Sequence, residues 1–364
     1  MEVEGRILTP EGWRTGRLRF GDRIEGVEAR PVPSSAPMVF PGFIDLHVPG
    51  GGGADVMAGT ADAVRTVARM HARHGTTSFL PATVTAPSED LEAAARAIAR
   101  VAAAREGQEA RVLGAHLEGP CISPEKLGAQ PPYARPADRG LIDRLLELVE
   151  VRVVTLAPEV DPGHRLIAHL AGRGVRVQLG HTAADYDETL AALAAGAAGF
   201  THLFNAMTPM HHRTPGVVGA ALAEARYAAI IPDFVHVHPG AIKTALRAVP
   251  KLFCVTDATA AAGMPDGEYP LGRHSVRKRG NTVYLADGTL AGSALTMDQA
   301  FRNLIALGLE PDDAVRRLAT YPADFLGIAD RGRIEPGAWA DLVVMESDLT
   351  LVAVFVEGQP VRLS

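Results

Sequence analysis

Cysteine is nearly absent from this chain. Cys121 and Cys254 are the only two in 364 residues. That is too few for a disulfide framework, and Cys254 sits inside an apolar run. A reduced, cytoplasmic setting is the expectation. Lysine is also scarce: Lys126, Lys243, Lys251 and Lys278 are the only four, which leaves 36 − 4 = 32 arginines among the basic residues. Against 42 acids the net charge is -6. No basic face is implied, so nucleic acid is not an expected partner. No uninterrupted apolar run approaches the roughly 18 residues of a membrane span. The N-terminus, MEVEGRILTPEGW, lacks a basic stretch followed by an apolar one, so no signal peptide is expected.

Eight short apolar runs are present, at 43–47, 76–80, 112–118, 151–157, 175–180, 198–202, 228–235 and 252–257. Helical patterns separate most of them, for example at 61–74, 88–106, 137–149, 184–195 and 239–248. At the second of these, Ser88 is followed by Glu89 and Asp90, which places acids in a first helical turn. Strand-then-helix alternation implies a parallel sheet. Eight such units predict a closed (β/α)8 TIM-like barrel over 43–332. The rival, an open doubly wound sheet, is disfavoured because no G-x-G-x-x-G follows the first strand and polar residues sit at the C-terminal ends of many strands. Residues 1–42 and 333–364 carry alternating stretches, and they predict a small β-sandwich domain built from both termini. Segment 268–290 predicts a hairpin inserted after the eighth strand.

Four residues end apolar runs and would meet at a barrel mouth: Glu118 in AHLEGP, His181 in LGHT, His202 in THLFNAM and Asp257 in VTDA. One carboxylate and two imidazoles make three protein ligands with a position left open for water, the pattern of a catalytic metal site. Asp257 is then placed to move a proton. One divalent ion is expected. Zinc is the first expectation, and Fe2+, Co2+ or Mn2+ share such ligands. His47 is a possible further ligand, but its partner position in a His-x-His pair is Pro49, which cannot ligate. No lysine lies between 127 and 242, so a carboxylated lysine cannot bridge two ions and Glu118 must supply the anion. Asp45 also stands where it can point inward. The loop NAMTPMHHRTPG, 205–216, collects His211, His212 and Arg213. With His236 and His238 it reads as an anion clamp, since guanidinium matches phosphate geometry.

The motifs PGFIDLH, HLEGPCISPEKLGAQPP, LGHT, THLFNAM, VTDATAAAG and GTLAGSALTMDQA run in order through nearly the whole chain. Together they resemble the N-acetylglucosamine-6-phosphate deacetylases of the amidohydrolase superfamily. The resemblance implies hydrolysis of N-acetyl-D-glucosamine 6-phosphate to glucosamine 6-phosphate and acetate. It implies metal ligation by Glu118, His181 and His202, and acid/base catalysis by Asp257. It further implies substrate contacts from Gln130 near the acetamide, from Asn205, Ala206, Ala291 and Gly292 around the sugar, and from Arg213 and His236 at the phosphate. In the family some phosphate contacts cross a homodimer, so a homodimer is expected. Phe234 departs from the family by standing where glycine is common. The residues alone leave two alternatives open. One is an amidohydrolase for another N-acyl substrate, such as N-acetylgalactosamine 6-phosphate. The other is a non-catalytic sugar-phosphate binder, which Pro49 alone favours.

Overall fold

All eight apolar runs form strands in the computed structural model, which describes residues 1–363. They are Phe43–Val48, Thr76–Thr83, the pair Arg111–Val112 and Ala115–Glu118, Val151–Leu156, Arg176–Leu179, Gly199–Phe200, Tyr227–Ile230 and Lys251–Cys254. The first six runs pair side by side, in sequence order, as one parallel sheet. The last two form a separate parallel pair. Backbone bonds span the two gaps. Leu203 N–H donates to the Ala229 carbonyl at 2.7 Å, and Asp257 N–H donates to the His47 carbonyl at 3.0 Å. The sheet is therefore curled, with the C-terminal ends of its strands brought together. Helices cover its outside. Both faces of the strands are buried, which explains why the runs read as continuous apolar stretches rather than alternations.

The helices begin where side chains can satisfy free N–H groups. Thr60, Asp138 and Asp185 accept from Ala63, Leu141 and Glu188, at 3.3, 3.0 and 2.8 Å. Such caps each contribute about 1 kcal/mol. Ser88 opens its helix differently. It is the first helical residue of Ser88–Ala103 and makes no capping bond, while Glu89 and Asp90 do occupy the first turn.

The two termini build one seven-stranded sheet. Its order is Gln359–Pro360, Leu351–Val356, Leu342–Met345, Met38–Pro41, Glu2–Thr9, Gly12–Phe20, Ile24–Ala29. Phe20 and Phe355 lie four strands apart in this order, yet their ring centroids are 5.1 Å apart. Neighbouring strands are spaced about 4.8 Å, so the sheet bends over its own apolar cluster of Ile7, Leu18, Phe20, Val39, Leu342 and Val344. The predicted hairpin at 268–290 is larger than expected. It is a four-stranded antiparallel meander of Gly267–Leu271, His274–Arg279, Thr282–Tyr284 and Leu290–Ser293. The Asp287–Gly288 turn lets the chain come back once more. The last strand then hydrogen-bonds to the exit of the eighth parallel run, through Ser293 N–H to Asp257 O at 2.7 Å.

Candidate active site

A cavity of about 270 Å³ opens at the C-terminal ends of the parallel strands. Glu118, His181, His202 and Asp257 all line it, together with Gln130, Asn205, Ala206, His236 and Gly292. Three of the four central residues leave their strands in the left-handed backbone region: φ is 49° at His181, 29° at His202 and 50° at Asp257. Residues other than glycine rarely adopt this conformation. The packed strands impose it, and it aims the side chains into the mouth.

Among the described residues, Glu118, His181 and His202 form the one group of three His, Cys, Asp or Glu side chains close enough to share an ion. Glu118 Oε1 lies 3.1 Å from His181 Nε2 and 3.1 Å from His202 Nε2, and the two nitrogens are 3.1 Å apart. His181 Nδ1 is 2.8 Å from the carbonyl of Lys126. A carbonyl only accepts, so Nδ1 carries a proton and Nε2 is the nitrogen turned to the carboxylate oxygen, which outweighs burial and raises the His181 pKa. Nε2 and Oε1 are held together by a positive charge between them, either a second proton on the ring or a metal ion. Metal–ligand bonds of about 2.0–2.1 Å at tetrahedral angles place donor atoms about 3.3 Å apart, close to the spacing here. The donor set therefore fits a divalent ion.

The surroundings shift the protonation equilibria. Burial pushes Glu118 towards its neutral form, but His47 and His181 outweigh this and hold it well below the usual carboxylate range. Asp257 is raised, first by burial and then by the Glu118 charge, with His47 opposing. Burial lowers His202. His47 is buried between two carboxylates, its Nε2 3.4 Å from Glu118 Oε2 and 3.5 Å from Asp257 Oδ1. Burial disfavours its charge, yet Glu118 and Asp257 together raise it to about 9. Neither of its nitrogens makes a hydrogen bond. Asp45 does point inward, and burial raises it to about 7 despite its bonds to Thr256. It accepts from Thr256 Oγ1 at 2.5 Å and from His47 N at 3.2 Å, tying the first strand's exit to the eighth's.

The expected anion clamp is only partly assembled. His236 reaches the cavity. Asp233 accepts from its Nδ1 side at 2.6 Å and outweighs burial to raise it. Arg213 does not reach the cavity. It is exposed and 2.8 Å from His212 Nε2, in a separate surface hollow that also includes Asp185, Tyr186 and His211. The helix Gly216–Glu224 begins just after it. His238 caps the helix Pro239–Ala248, accepting from Gly240 N–H at 3.1 Å. Ala291 is buried beside Gly292 without lining the cavity. Gly292 has φ 53°, and a Cβ there would meet the Asp257 carbonyl at 2.9 Å. Val84, Leu271 and Leu290 also line the cavity. Sequence reading missed them because nothing distinguishes an apolar wall residue from an apolar core residue.

The chain matches the Amidohydrolase family over residues 38–361. It is 41% identical to an N-acetylgalactosamine-6-phosphate deacetylase from Escherichia coli O157:H7, over 97% of both chains. It is 39% identical to an N-acetylglucosamine-6-phosphate deacetylase from Bacillus subtilis (strain 168), over 88% of this chain and 84% of the relative. Among solved structures it is similar to a mutant N-acetyl-D-glucosamine-6-phosphate deacetylase from Mycobacterium smegmatis in complex with N-acetyl-D-glucosamine-6-phosphate. The TM-score is 0.91 and the identity 38%, over 100% of this chain and 99% of the other. A site built from strand ends, a donor set that fits a metal, and this breadth of similarity agree: the chain belongs to the amidohydrolase family.

Proposed function

We propose that this chain hydrolyses N-acetyl-D-glucosamine 6-phosphate to D-glucosamine 6-phosphate and acetate. The observation that carries the reading is the convergence of Glu118, His181 and His202 on one point beside the free carboxylate of Asp257, within one cavity. The named activities of the relatives supply the substrate class. The E. coli relative's name favours one alternative, N-acetylgalactosamine 6-phosphate as substrate. Acetate release measured on both sugar phosphates, with elemental analysis of the same sample, tests the proposal. Release from neither sugar by protein that contains metal would reject it.

Glu118, His181 and His202 would hold one divalent ion, with zinc the first candidate. When bound, such an ion supplies Lewis acidity, polarising an amide carbonyl and lowering the pKa of a water. The rest falls to the chain's own groups. Asp257 takes the proton of the attacking water and returns it to the departing nitrogen, so that acetate and amine separate. Its raised pKa suits a group that must gain and lose a proton in one cycle. Asn205, Ala206 and Gly292 border the sugar, with Ala291 buried behind Gly292, Gln130 stands at the acetamide end, and His236 faces the phosphate. Arg213, exposed outside its own cavity, would complete the phosphate site from the partner subunit of a homodimer. Two buried free cysteines accord with a reduced, cytoplasmic setting, and no helix among the described residues is long and apolar enough to cross a membrane.

The architecture we assign is a closed (β/α)8 barrel over 43–332 with a β-sandwich from 1–42 and 333–364. The Leu203–Ala229 and Asp257–His47 bonds support closure. The Phe20–Phe355 contact supports the two facing layers.

A further inference from the structure

The two oxygens of Glu118 have different neighbours. Oε1 faces the two imidazole nitrogens at 3.1 Å each. Oε2 accepts a hydrogen bond from Gln130 Nε2 at 2.5 Å, and its other neighbour, His47 Nε2, stands farther off at 3.4 Å. The orientation of that amide is fixed from its other end, because Thr85 N–H donates to Gln130 Oε1 at 2.6 Å. A backbone N–H cannot accept and an ionised carboxylate cannot donate, so the amide has one chemically consistent orientation. Gln130 is nine-tenths buried, with 8% of its surface exposed. The backbone that carries it is held by its own N–H, which donates to the Leu127 carbonyl at 2.9 Å.

We infer that Gln130 is a positioning residue for the metal ligand Glu118. It occupies Oε2, so the carboxylate ligates through Oε1 alone, and the third protein ligand takes up one coordination position instead of two. A carboxylate free at both oxygens can chelate an ion or bridge to a second one. Held at one oxygen, it leaves the fourth position of a tetrahedral ion for water, as hydrolysis requires. This inference rests on the one-ion reading above and goes further, because it names the side chain that enforces the ligation. It also differs from an acetamide contact, which would place the effect of Gln130 on the substrate.

The experiment is zinc binding to the metal-stripped full chain, read by competition with a chromophoric chelator, for the wild type, Gln130→Met and Gln130→Leu. Neither replacement can donate to Oε2. Zinc affinity is expected to fall about 10–100-fold, as is usual when a hydrogen bond behind a metal ligand is lost, with the melting temperature of the stripped protein little changed. Unchanged or tighter zinc binding, with KM alone raised, overturns the inference and returns Gln130 to the acetamide. X-ray absorption at the zinc edge of the wild type needs no variant. One oxygen from the carboxylate supports the inference, and two overturn it. A wild type that takes up two zinc equivalents, or none, overturns instead the one-ion reading beneath it, so the two failures are distinguishable.

Discussion

His181 donates its Nδ1 proton to the Lys126 carbonyl at 2.8 Å, and its other nitrogen meets Glu118 Oε1 at 3.1 Å, where only a second proton or a cation can join them. Without a metal ion a proton fills this contact, which is why, against burial, Glu118 raises the His181 pKa. Zinc added to stripped protein should displace such protons and acidify a weakly buffered solution. It should also stabilise the fold. At a free concentration about 1,000-fold above Kd the gain is about 4.1 kcal/mol, seen as a rise of several degrees in Tm. Chelation should reverse both effects. A Tm indifferent to zinc and chelator would argue against an ion at this triad.

Asp257→Asn removes the proton carrier and keeps the shape. We expect kcat to fall about 10²–10⁴-fold while zinc content stays near wild type, since Asp257 is not among the three converging ligands. Wild-type turnover in this variant would move the acid/base role elsewhere.

Arg213→Ala should raise KM for the phosphorylated sugar with little effect on kcat, because the phosphate is remote from the reacting carbonyl. Arg213 lies outside its own cavity, so a second test is available. Arg213→Ala chains mixed and refolded with Asp257→Asn chains should regain low-KM activity, since each mixed dimer holds one site with an intact Asp257 served by an intact Arg213. No regain would place the phosphate contact within one subunit. Equal KM for phosphorylated and unphosphorylated sugar in the wild type would remove the clamp altogether.

Far from the site, Glu357 accepts from Arg111 at 2.6 Å and from Arg331 at 2.5 Å, and Arg331 also binds Asp341. Burial alone would raise Glu357, but the two guanidiniums outweigh it and lower it to about 2. The folded value lies below the unfolded one. The stabilisation is therefore complete above the unfolded pKa of 4.5 and is lost as pH falls from there towards about 2. Glu357→Gln should destabilise by on the order of 3 kcal/mol at pH 7. The gap to wild type should narrow below pH 4.5, as read by denaturant midpoints at several pH values. A constant gap down to pH 3.5 would contradict the assignment.

Much of this was legible in the sequence because the functional residues are also punctuation. Glu118, His181, His202 and Asp257 each interrupt an apolar run, and a polar residue at a buried strand end has few structural reasons to be there. All four line the cavity. Arg213 was less legible. Its loop composition marked an anion site, but composition carries no information on which way a loop leaves the surface. His238 shows the same limit, since a histidine two residues past His236 proved to be a helix cap. The bond between Gln130 and Glu118 spans 12 residues of irregular chain, where no periodicity constrains which side chains meet. The meander at 267–293 exceeded the predicted hairpin because its last strand is short and is held by the exit of another strand, a contact that local pattern cannot encode.

The strand Met38–Pro41 pairs on one side with Glu2–Thr9 and on the other with Leu342–Met345. During synthesis its first neighbour has already emerged, whereas the second follows some 300 residues later. Until then an apolar strand edge stands open to any passing chain. A nascent polypeptide stalled before Leu342 would therefore be prone to aggregate even with all four cavity-lining groups of the active site already translated.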